Sequence, residues 1–187
     1  MRDAGALIIA TQMLRRPTLA RVVRDAPLPK GMTFLLEIAA GDADALTCAR
    51  SLTGDAPERL TEAACFFVEQ VLFAHRTDCY RILGATSTAS TADLRRHMAL
   101  LMRWVHPDKN GSSHSRQIDR SVFVARITEA WQTLKTEERR AAYNIALRVS
   151  NQNELLQRRR RSPRLSLHRL GDDGLIGRLL MFLRGGK

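Results

Sequence analysis

Residues 90–109 read Ser-Thr-Ala-Asp-Leu-Arg-Arg-His-Met-Ala-Leu-Leu-Met-Arg-Trp-Val-His-Pro-Asp-Lys. Ser90 followed three residues later by Asp93, just before the apolar Leu94, is a capping box and marks a helix start. At about 100° per residue, Leu94, Met98, Leu101 and Val105 fall in one narrow stripe, with His97 and Trp104 flanking it. Arg96 and Arg103 lie nearly opposite, seven residues apart, and Arg95 lies to the side. One face is therefore expected in a core and the other forms a basic ridge. Pro107 disfavours helical geometry at His106, so the helix is expected to stop there, and Asp108, Asn110 and Gly111 supply turn chemistry. His106 and Asp108 are thereby presented on a stiffened loop beside the ridge. Arginines on an exposed helical face are, taken alone, equally consistent with simple solvation.

The stretch on the far side of this turn has the same periodicity. Phe123, Ile127, Ala130, Trp131 and Leu134 recur at helical spacing, with Val124 alongside. The two stripes predict an antiparallel helical hairpin, the simplest way for both to bury their apolar sides. Thr136 can cap a last helix, Glu137 to Tyr143, whose acids sit in the first turn, where the macrodipole favours them. Before the hairpin, Asp78 can cap a short helix, Cys79-Tyr80-Arg81-Ile82-Leu83, which Gly84 ends.

Further towards the N-terminus, residues 1–30 read as one helical stretch ending at Pro27 and Pro29. Met32 to Ala40 looks like a buried helix stopped by Gly41. Asp42 or Asp44 can cap the next helix, which Gly54 closes. Pro57 opens a longer one carrying Leu60, Ala64, Phe67, Val68, Val71 and Leu72 on one face. This region holds no motif tied to chemistry and is expected to pack on its neighbour or to recognise a client. A base and nucleophile pairing of His75 with Cys65 or Cys79 is conceivable, but an exposed histidine and two packed thiols are the simpler expectation.

Composition sets the class. Of the 187 residues 44% are apolar, enough for a packed core, and only 5% are aromatic; Ala, Leu and Arg dominate, which favours an all-α fold. The net charge of +11 is unevenly placed. Residues 1–78 hold 9 basic and 10 acidic side chains, residues 79–148 hold 12 and 6, and residues 149–187 hold 9 and 3, so acidic partners are expected for the second half. Cys48, Cys65 and Cys79 are too widely spaced for a CxxC zinc pattern, and no metal or cofactor is expected. No apolar run reaches membrane-spanning length and no secretory signal is evident, so the cytoplasm is the expected compartment. An enzyme is disfavoured, because no phosphate-cradling glycine loop, ligand cluster or Ser-His-Asp signature is present.

Residues 78–148 resemble a J domain, the co-chaperone module of the DnaJ family. The resemblance runs through Tyr80-Arg81-Ile82-Leu83-Gly84, through Ser90 with Asp93-Leu94-Arg95-Arg96, and through His106-Pro107-Asp108-Lys109-Asn110. It continues in Ile127-Thr128-Glu129-Ala130-Trp131 with Leu134, and in Glu138-Arg139-Arg140-Ala141-Ala142-Tyr143. It implies a four-helix module, preceded here by a small helical region. It also implies binding to a DnaK-type chaperone ATPase of the heat shock protein 70 family, with stimulation of ATP hydrolysis in support of protein folding. By that resemblance His106, Pro107 and Asp108, with Lys109 beside them, form the trigger, and Arg95, Arg96 and Arg103 meet an acidic surface. The sequence departs from the family at Met98-Ala99-Leu100, where an aromatic and basic residues are common. Trp104-Val105 replaces a basic-aromatic pair and Asn144 an aspartate, and together these changes thin the basic ridge. There is no Gly/Phe-rich linker and no cysteine-rich zinc module, as in the class of J proteins that shares only the J domain with DnaJ.

The chain thus divides into an N-terminal helical segment (1–30), a helical region of open role (31–77), the J-like module (78–148), and a basic linker with a short amphipathic segment (149–187). The tail supports an alternative, an adaptor for nucleic acid or an anionic membrane surface through Arg158, Arg159, Arg160, Arg161 and Arg164. That block lacks interleaved aromatics, so such binding is expected to be non-specific and steeply salt-dependent.

Overall fold

A computed structural model describes residues 3–106 and 120–161. Every regular element among them is helical: α1 (Gly5–Arg15), α2 (Leu19–Asp25), α3 (Met32–Ala39), α4 (Ala43–Thr53), α5 (Pro57–Phe67), α6 (Cys79–Ile82), α7 (Thr91–Val105), α8 (Arg120–Leu134) and α9 (Glu137–Arg161). A π-helical turn, Val68–Leu72, extends α5. Among the described residues, those up to Ala146 form one compact unit, and residues 147–161 belong to a second.

The local signals act as their chemistry requires. Asp42 accepts a hydrogen bond from the Ala45 N–H at 2.9 Å, and Asp78 one from the Arg81 N–H at 3.1 Å, each satisfying a donor left open at a helix start. Pro57 occupies the first turn of α5, where its missing N–H costs nothing. The single helical stretch expected over residues 1–30 is instead two helices. Pro17 forces Arg16 to φ −137° and ψ 82°, so α1 ends at Arg15 and α2 starts afresh at Leu19.

In the first half, α5 is the hub on which α1, α3 and α4 pack. Leu60, Ala64, Phe67, Val68, Val71 and Leu72, the stripe expected from spacing, are all fully buried. In the second half α7 and α8 form the expected hairpin. Trp104, near the end of α7, meets Phe123 near the start of α8 at 5.5 Å, whereas Arg95 near the start of α7 lies over Trp131 late in α8. Those pairings fix the antiparallel sense. Leu94, Leu101, Ile127 and Leu134 are fully buried between the two helices. Truncating any one to alanine should cost about 2–5 kcal/mol.

The two halves share one core. The α3 helix packs on α7, and buried residues from α1 to α8 belong to a single apolar cluster. Gly84 shows how tightly they fit. Its φ is +64°, and a Cβ there would stand 3.3 Å from both Leu36 Cδ1 and Met32 Cε of α3. Glycine alone combines that backbone conformation with that approach.

Candidate functional site

The basic face of α7 is built from its first turn. Ser90 Oγ accepts from the Asp93 N–H at 3.1 Å, and the Asp93 carboxylate accepts in return from the Ser90 hydroxyl at 2.7 Å and the Ser90 N–H at 3.3 Å. These bonds, the hydroxyl foremost, hold the Asp93 carboxyl below its ordinary range. From this fixed start, Ala92, Arg95, Ala99 and Met102 form an exposed stripe that leads to exposed His106, with Arg96 and Arg103 exposed along its edge. At His106 the backbone turns extended, φ −61° and ψ 132°, as the following proline demands. Its N–H still reaches the Arg103 carbonyl at 3.4 Å.

The three ridge arginines are not equivalent. Arg103 is exposed. Arg95 carries its guanidinium 6.0 Å from the Trp131 ring centroid, at the outer limit of a cation–π contact. Arg96 donates to the carboxylate of Glu37, a residue of α3. The Arg96 side chain is 60% exposed, but that of Glu37 only 10%. Pro107, Asp108 and Lys109 lie outside the described residues, as does Arg164. Arg158 to Arg161 belong to the last turns of α9.

The opposite face of α7 carries two residues that spacing alone placed merely beside the stripe. His97 and Trp104 are 5% and 6% exposed, whereas Met98, expected in the stripe, is only half-buried. The reason is the cover over this face. His97 Nε2 meets Thr33 Oγ1 of α3 at 2.7 Å and its Nδ1 meets the Leu83 carbonyl at 2.9 Å. A carbonyl only accepts, so Nδ1 carries the proton and the Thr33 hydroxyl donates to Nε2. Burial holds the imidazole below its ordinary value, so it stays neutral. Trp104 stacks on Phe73 at 5.7 Å, and Phe73 meets Phe123 at 4.7 Å, one aromatic cluster spanning both halves.

Two further arginines fasten the halves. Arg81 donates to the Val23 and Ala26 carbonyls at the end of α2, both at 2.8 Å. Arg126 donates to the Phe73 and Ala74 carbonyls after the π turn, at 2.6 and 3.0 Å. Each guanidinium satisfies carbonyls that a helix end leaves open. At the base of the module, Tyr143 Oη accepts from the Cys79 N–H at 2.8 Å, and the Tyr80 hydroxyl donates to Asn144 Oδ1 at 2.9 Å. An amide oxygen serves at position 144 as a carboxylate would.

His75 is exposed, and burial pushes the Cys65 thiol up to about 11, against a hydrogen bond with Trp104. A thiol so placed is the reverse of an activated one. Among the described residues no group of acidic, histidine or cysteine side chains could hold a metal ion, and no helix is long and apolar enough to cross a membrane.

Glu37, the partner of Arg96, is a residue that spacing did not single out. Its signal was present: it is the one charged side chain in the run Met32 to Ala40, and a carboxylate in a helix buried on every side requires a partner.

Comparison with known proteins identifies one module of the chain. Residues 78–144 match the family model of the DnaJ domain. The chain is 37% identical over 75 residues to DnaJ homolog subfamily C member 16 of Homo sapiens, covering 40% of this chain and 9% of that protein. It is 35% identical over 86 residues to DnaJ protein P58IPK homolog B of Oryza sativa subsp. japonica, covering 46% and 17%. With Chaperone protein DnaJ of Rickettsia akari it shares 37% over 67 residues, covering 36% and 17%. The match is thus confined to one module, and the chain spans less than a fifth of the length of each of these relatives. No solved structure matches the chain.

Proposed function

Residues 78–144 are a DnaJ domain, and from that premise we propose that this J-domain co-chaperone binds a DnaK-type chaperone ATPase and stimulates its ATP hydrolysis, assisting protein folding. The observation that carries the reading is the exposed stripe of α7, Ala92, Arg95, Ala99 and Met102, running into exposed His106 at the head of the His-Pro-Asp triplet. A small, uncrowded face edged by arginine suits docking on an acidic surface. Charge complementarity of this kind raises association rates and fixes orientation more than it adds affinity. Once docked, His106, Pro107 and Asp108 act on the partner. A carboxylate such as Asp108 can take a partner arginine in a charge-assisted pair and so bias the ATPase towards its hydrolysing conformation. The cytoplasm is the compartment in this reading, in keeping with three cysteines that are all unpaired.

The test is single-turnover ATP hydrolysis by a DnaK-type ATPase with and without the full chain. Wild type should accelerate it, and His106→Gln should remove the acceleration with the thermal midpoint of the chain little changed. Equal stimulation by both proteins, or none by wild type, would sink the reading.

A further inference from the structure

Only part of the arginine ridge is available to a partner, and the first half of the chain decides which part. The α3 helix lies against α7 and is buried almost throughout, from Met32 to Ala39. Its one ionised side chain, Glu37, emerges at the edge of the contact, where it meets Arg96. Neither α3 nor its carboxylate can withdraw easily. The adjacent Thr33 is bonded to His97, Met32 and Leu36 press on Gly84, and Phe73 is stacked on Trp104. The Glu37 carboxylate, only 10% exposed, holds Arg96 by a direct ion pair. Arg96 is therefore held to Glu37 even though most of its surface faces solvent.

The geometry points to Glu37 as a determinant of partner choice: it offsets the charge of Arg96, so along α7 an acidic partner surface meets the charges of Arg103 and Arg95 without that of Arg96. This rests on the co-chaperone reading of the α7 face and adds to it which ATPases are accepted. A partner whose acidic surface is matched to three cations along α7 finds one of them offset by a carboxylate in direct contact with it, and binds slowly. A partner matched to the Arg95 and Arg103 positions loses nothing. Residues 3–77 thus act as a built-in filter on the J-domain surface, and Glu37 is its charged element.

Association of the full chain with a purified DnaK-type ATPase in its ATP state, followed by stopped flow at low and high salt, tests this. Glu37→Gln keeps the size and an acceptor for Arg96 while releasing its charge. It should associate ~2- to 5-fold faster than wild type at low salt, with the gain vanishing at high salt. Asp44→Asn, at an exposed position of α4, makes the same change in net charge and should give no such gain. Adding Arg96→Gln to Glu37→Gln should return the rate to the wild-type value. Glu37→Met, checked by its own melting curve, serves in place of Glu37→Gln if that variant does not fold. A rate for Glu37→Gln equal to that of Asp44→Asn, or a gain that survives in the double variant, overturns the role of Glu37. Failure of the wild type itself to associate overturns instead the co-chaperone reading on which the inference stands.

Discussion

The two faces of α7 come from the same fifteen residues and face opposite demands. The outward face is short of bulk: two alanines, a methionine and arginines that reach solvent. The inward face is crowded and fully engaged, with Leu94 and Leu101 against α8 and His97 and Trp104 against the first half of the chain. The difference teaches that substitutions which look like losses from a docking surface can be gains for an internal one. Trp104 stands where the family commonly has a basic residue, and here it stacks on Phe73 instead of meeting a partner. This comparison separates stability from steering, and each variant below should move one far more than the other.

The largest effect should come from Phe73→Ala. Phe73 is 6% exposed and touches both Trp104 and Phe123, so its removal opens a hole where the halves meet. A loss of about 3–5 kcal/mol in urea denaturation is expected. The fraction still folded should stimulate the ATPase normally, because the outward face is untouched. A loss below about 1 kcal/mol would show that the halves are not joined through this cluster.

Next come the arginines that hold carbonyls. Arg126→Met keeps much of the stem but strands the Phe73 and Ala74 carbonyls, and Arg81→Met strands those of Val23 and Ala26. Each should cost about 1.5–3 kcal/mol, the range for hydrogen bonds to a charged group. The two sites lie on different helices with different acceptors, so the double variant should be close to additive.

Much of this was legible beforehand, for a physical reason. The capping box at Ser90, the proline stop after His106 and the stripe from Leu60 to Leu72 are local, and local chemistry decided them. Even the hairpin could be inferred, since two apolar stripes joined by one turn have few other ways to bury themselves. The union of the two halves could not, because it depends on pairs far apart in sequence: Thr33 with His97, Glu37 with Arg96, Phe73 with Trp104. Periodicity tells which side of a helix is apolar, not what covers it. Spacing alone puts His97 and Trp104 beside the stripe of α7 and groups Arg96 with Arg103, and only the cover from α3 and Phe73 tells them apart. The break at Arg16, by contrast, is local: it follows from Pro17.

A smaller effect on stability depends on pH. Burial of His97 holds its imidazole below the ordinary 6.5, with the Leu83 carbonyl and Asp93 only partly opposing that shift. The unfolded chain therefore takes up this proton at higher pH than the folded one does. Above the ordinary value both states are neutral here and the contribution is constant. As pH falls below it the unfolded state gains the proton first, so stability declines until the lower folded value is passed. The urea midpoint of wild type should fall from pH 7.5 to pH 5.5 by more than that of His97→Gln, although the variant starts lower. Equal slopes in the two proteins would mean that another group carries the acid sensitivity.

The smallest effect on the fold, and the clearest on steering, belongs to Arg103→Gln. Its side chain is exposed on the edge of the outward stripe, so the fold should change by less than about 0.5 kcal/mol. Association with the ATPase should nevertheless slow severalfold at low salt and converge on wild type at high salt, since a rim charge acts through rate and is screened. The contrast with Phe73→Ala is the sharp form of the comparison between faces. One variant should lower stability and spare association by the folded fraction, and the other should do the reverse. Should Arg103→Gln lower the urea midpoint as well, the outward face would be bearing on the fold, and the division of labour across α7 would have to be redrawn.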